Sequence, residues 1–236
     1  PDAGLLGTSL TAADVYRAAR GETVTSNTGQ PFQLIRPLDF LVLTDHAEAM
    51  GLAPMVRESN PVLLSSKRGR EVWEAFNAGG EQAMKAFAGM LADVSAGRDP
   101  FSDIDMAGSI GPEFVKLADT YDQPGVFTTM TGFEWTSQPN GNNLHRIVVF
   151  ADGANKTSRV QPFSMFDSQD PAKLWDYMER YEASTGGRVF AHVHNGNLSN
   201  GIAFTAAPFD GTPIDAAYAA RRARWEPIME ITPLTG

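Results

Sequence analysis

Apolar residues along this chain fall in two kinds of run. Some recur at three- and four-residue steps, the spacing of one helix face; others form short unbroken stretches that suit strands buried on both sides. Thr11–Arg20 (TAADVYRAAR) predicts a short helix, with Thr11 as N-cap, Asp14 completing a capping box and Gly21 as the stop. Extended runs on either side of Asn27-Thr28-Gly29 predict a hairpin. Leu38–Thr44 (LDFLVLT) is nearly all apolar without alternation and predicts a buried strand. Between Lys67 and Gly97, the positions Trp73, Phe76, Met84, Phe87, Met90, Leu91 and Val94 keep helical spacing, with a break at Gly79-Gly80. A further helix is expected from about Pro112 to Tyr121. Val126–Phe133 and Leu144–Ala151 read as strands. Asp170-Pro171 then opens a helix that ends at Gly186-Gly187. Arg188–Val193 and a short Pro227–Ile231 complete the expected strands. Strands alternating with helices give the pattern of a parallel barrel or a doubly wound sheet. At 236 residues a single domain is expected.

Composition narrows the partners. The net charge of −9 argues against a nucleic-acid surface, which needs basic residues to neutralise phosphates. It leaves room for a small, anionic substrate, because a bound cation reverses the local potential. No run of eighteen apolar residues is present, so no membrane span is expected, and the first residues lack the basic start and apolar stretch of a signal peptide. With no cysteine, any metal must be held by nitrogen and oxygen, and the chain suits either cytoplasm or periplasm. No G-x-G-x-x-G follows a strand and there is no P-loop, so a nucleotide-cofactor enzyme finds no support.

The chemistry is expected where the four histidines lie, each at or beside an end of an expected strand. His46 follows LDFLVLTD, His145 opens LHRIVVFA, and His192 and His194 close RVFAHVH, while Glu134 ends VFTTMTGF. The C-terminal strand ends of a parallel α/β barrel converge on one rim, where active sites form. Asp45-His46 is a metal-ligand pattern or a helix cap. His192 and His194 alternate onto one strand face and suit a divalent cation, the alternative being two surface histidines. Glu134, between Phe133 and Trp135, must be paired, protonated or metal-bound. His145 is the least typical, since it begins its strand. The loops holding Asn143, Asn195 and Asn197 adjoin these positions and are either substrate contacts or tight turns.

Taken together, LDFLVLTDHAE, TGFEWTS followed by GNNLHRIVVF, AHVHNGNLSNG and EPIMEITPLTG resemble the DUF3604 family, related to the PHP (polymerase and histidinol phosphatase) metallohydrolases. That resemblance implies a distorted TIM-like (β/α)7 PHP-type barrel holding divalent metal ions (zinc, manganese or iron) and hydrolysing a substrate such as a phosphoester. By motif it implies His46, His145 and His194 as metal ligands, Glu134 as the bridging carboxylate and Asp45 as a catalytic carboxylate. His192 has no firm counterpart in the family pattern, and its place among the metal ligands rests on strand alternation. The family opens with a His-x-His strand that would precede this chain, with Asp2 matching the acidic residue after it, and continues past Gly236. The chain therefore reads as a segment of a longer protein, and a non-catalytic or degenerate PHP-like domain stands as the alternative to a metal-dependent hydrolase.

Overall fold

The computed structural model describes residues 2–5 and 7–231. Helices α1 (Asp2–Leu5) and α2 (Ala12–Ala19) lead into a two-stranded antiparallel hairpin, β1 (Val24–Thr25) and β2 (Pro31–Phe32). The α2 start follows the expectation: Thr11 accepts from the Asp14 amide while Asp14 accepts from Thr11. Strand β3 (Phe40–His46) is followed by a helical block of α3 (Leu52–Arg57), α4 (Pro61–Ser65), α5 (Lys67–Ala78), α6 (Gly80–Ser95) and α7 (Met106–Tyr121). Gly79, at φ 69°, makes the expected break between α5 and α6. Next come β4 (Thr128–Trp135), β5 (Arg146–Phe150), α8 (Ala154–Thr157), α9 (Pro171–Thr185), β6 (Val189–Val193) and α10 (Ala216–Trp225).

The main sheet has the order β3-β4-β5-β6, with β3 and β4 parallel and both other pairings antiparallel. Strand β5 therefore runs against the other three strands. The expected (β/α)7 barrel is corrected here: among the described residues this sheet is open, with β3 and β6 as its edges, and no sheet closes on itself. The cause is in the connection. Residues 136–145 hold only a single turn of 3-10 helix, Pro139–Gly141, between β4 and β5. A parallel pairing needs a crossover of a dozen or more residues, usually helical, so a short connection returns the chain antiparallel. Pro227–Ile231 likewise forms no strand in the described chain.

Alternation divides the sheet into two faces. Phe133, Trp135, Val148, Phe150 and Ala191 point to one side and pack against Leu174, Trp175, Tyr177, Met178 and Tyr181 of α9 and Trp225 of α10. Leu41 and Leu43 extend the same side toward Tyr16 and Phe127. The block α3–α7 has its own centre in Leu52, Met55, Leu63, Val72, Met90 and Met106. His46 and Glu134 belong to the opposite face, in register with each other. Gly132 shares that face two residues earlier, and a Cβ there would lie 2.5 Å from the Val148 carbonyl oxygen. Only glycine lets β4 approach β5 this closely.

Candidate functional site

The reversed strand gathers the site. Trp135, the last residue of β4, pairs with Arg146, the first of β5, and Arg146 pairs with Val193, the last of β6. The start of β5 thus lies at the same sheet edge as the ends of β3, β4 and β6. His145 just before β5, His194 just after β6, His46 and Glu134 are brought together there. A bond from the His194 amide to the His145 carbonyl (3.1 Å) continues the ladder and fixes these two side by side.

Glu134 is the centre of the group and is 7% exposed. Its Oε1 accepts from His145 Nδ1 at 2.8 Å and lies 3.9 Å from His194 Nε2, while Oε2 lies 3.6 Å from His46 Nδ1. Burial pushes the Glu134 carboxyl up, but the His145 hydrogen bond and the charges of His46, His145 and His194 outweigh it. Its pKa is held below the ordinary 4.5, so the carboxylate stays ionised at neutral pH.

Other polar groups, which the sequence reading did not single out, orient the rings. Thr136 Oγ1 sits 2.6 Å from His46 Nδ1 and also reaches Glu48. Glu48 is buried, its Oε1 accepts the Met165 amide at 2.6 Å, and burial raises its carboxyl above the ordinary range. Glu230 Oε1 lies 3.4 Å from His194 Nδ1, and its Oε2 accepts the Asn195 amide at 2.8 Å. Thr136 could have been found by alternation, since it follows Glu134 on the same face at the second position. Glu230 carried no such signal, because Pro227–Ile231 read as a strand of its own.

The remaining candidates are dispersed. His192 shares the site face, but Ile147 stands between it and Glu134 in the register. That is two strand spacings, about 10 Å, and His192 Nδ1 pairs with the Val193 carbonyl at 3.0 Å. Asp45 alternates away from His46 yet lines, with His46 and Glu134, a cavity of about 760 Å³ between β3, α2, α3 and α7. Asn195 adopts a left-handed conformation and its Nδ2 lies 3.0 Å from His194 Nε2. The Asn143 amide donates to the Leu198 carbonyl at 3.4 Å, joining the two asparagine loops, and Asn197 is exposed. The Asp2 side chain lies outside the described residues.

Imidazole nitrogen and carboxylate oxygen are suitable donors for zinc, manganese or iron. Among the described residues no group of three or more His, Asp or Glu is poised to hold a metal ion. The reason is that Glu134 is engaged directly with His145, and His46 with Thr136, instead of all converging on a common point. Among the described residues, no helix is long and apolar enough to cross a membrane.

The family model described as protein of unknown function (DUF3604) matches residues 1–236, and the chain belongs to that family. No curated protein and no solved structure matches it.

Proposed function

We propose that this member of the DUF3604 family is a PHP-like domain whose sheet-edge cluster binds a divalent cation without forming a complete catalytic centre from the described residues. The observation that carries this reading is one ionised, buried carboxylate, Glu134, faced by the imidazoles of His46, His145 and His194. A cation would supply Lewis acidity and a positive potential in an otherwise acidic protein. His145 turning from Glu134 toward it would exchange a hydrogen bond for a ligand bond, with Thr136 and Glu230 holding the neighbouring rings in place.

A second reading, metal-dependent hydrolysis of a small anionic substrate such as a phosphoester, is favoured by the cavity that opens on Asp45, His46 and Glu134. Asp45, at its wall, would then relay a proton. One experiment separates the two. The protein is purified without chelator, its zinc, manganese and iron are measured, and p-nitrophenyl phosphate turnover is followed with each metal restored. Bound metal without turnover supports the binding domain. Turnover lost with Glu134→Gln supports the hydrolase. Absence of both metal and turnover overturns the two readings together.

A further inference from the structure

On the face of the sheet away from Glu134, the side chain of Arg146 is 2% exposed. Its Nε donates to Glu226 Oε1 at 3.0 Å, and its Nη1 donates to the carbonyls of Leu144 at 3.1 Å and His145 at 3.4 Å. Its Nη2 takes part in none of these bonds. Glu226 is already shared, because Arg222 Nε donates to its Oε2 at 3.2 Å and Trp175 Nε1 to its Oε1 at 3.1 Å. Two guanidinium groups therefore face one carboxylate, which leaves a positive excess in a poorly solvated place. An anion in contact with both guanidinium groups would balance that excess.

The space for one exists. A cavity of about 250 Å³ lies against Arg146 and Arg222, and these are the only charged side chains among its lining residues. Asn142 and the Tyr218 ring add polar edges, while Leu144, Ile202 and Phe209 form apolar wall. We propose that this cavity binds a small organic carboxylate, its anionic end on Arg146 and Arg222 and its apolar body against Leu144, Ile202 and Phe209. A carboxylate suits the pair because its two oxygens can each accept from the remaining Nη of one guanidinium, and the volume suits a single aromatic ring. The site lies behind β5 and does not depend on the histidine cluster.

Benzoate is the probe, titrated at constant ionic strength in EDTA so that no cation mediates binding, with thermal melting and tryptophan fluorescence as readouts. Saturable stabilisation is expected in the natural sequence and equally in Glu134→Gln, with chloride giving none. Arg222→Gln should weaken benzoate at least tenfold. Because Arg222 also ties α10 to the Ala203 carbonyl, a second variant is needed that leaves this contact in place. Ala207→Glu, at the cavity wall, supplies a tethered carboxylate and should abolish binding with native circular dichroism. Loss of binding in either natively folded variant sustains the proposal. No saturable effect in the natural sequence, or unchanged affinity in both variants, overturns it.

Discussion

Replacing Glu134 by Gln keeps the side-chain shape and removes the charge. In the metal-free protein the cost is modest, because Gln Oε1 still accepts from His145 Nδ1, as Glu134 does at 2.8 Å. Exchanging a charge-assisted bond for a neutral one costs about 1 kcal/mol. The effect on a cation is far larger. Four-ligand zinc sites bind with about 10–16 kcal/mol, so an even share is roughly 3 kcal/mol per ligand, or about a hundredfold in affinity. At a zinc concentration of about 100 times the natural Kd, binding stabilises the fold by ~2.7 kcal/mol, whereas a hundredfold weaker variant gains only ~0.4 kcal/mol. For a chain of this size 1 kcal/mol moves Tm by roughly 2–4 °C. Differential scanning calorimetry with zinc and with EDTA should therefore show a rise of about 5–10 °C in the natural protein and about 1–2 °C in Glu134→Gln. Equal rises in both would refute Glu134 as a ligand, and no rise in either would refute the cation site.

Other substitutions test the framework. Asp152 accepts from Lys156 Nζ, the Tyr181 hydroxyl and the Arg188 amide; burial pushes its carboxyl up, and these hydrogen bonds bring it below the ordinary 3.8. Asp152→Asn should cost about 1–2 kcal/mol in urea unfolding at neutral pH. A depressed folded pKa gives stability that is complete above 3.8 and lost as pH falls through the lower folded value, so the deficit should shrink only on that acid limb. Gly132→Ala forces a Cβ to within 2.5 Å of the Val148 carbonyl and should destabilise by about 1–3 kcal/mol while weakening zinc binding, read by calorimetric titration. Leu174→Ala, at a fully buried position under the sheet, should cost about 2–5 kcal/mol with zinc affinity unchanged in the folded fraction.

The strand positions were legible because β3, β4, β5 and β6 are short apolar runs bounded by turns, and the α2 capping box was legible because it is local. Strand direction was not read from the same runs. His145 looked out of place as a strand's first residue only while every strand was taken as parallel; the absence of a helical pattern in residues 136–145 was the signal for a reversal. Helix α7 begins at Met106, capped by Asp105, six residues before the expected proline start, with Pro112 in its interior. Helix α4 was missed although Asn60-Pro61 carries both an N-cap and a first-turn proline. His192 shows the limit of alternation, which fixes a face but not the distance across it.

The reversal of β5 also bears on the order in which the cluster assembles. His145 meets Glu134 across 11 residues of chain, whereas His46 meets Thr136 across 90. Loop-closure entropy rises as (3/2)RT ln n, so the longer closure costs about 1.9 kcal/mol more. The β4–β5 hairpin can therefore place Glu134 against His145 before β3 and β6 dock, giving these two residues high φ-values and His46 a low one. Substitutions at Trp135 or Val148 within the hairpin should then slow folding, while those at His46 should chiefly speed unfolding.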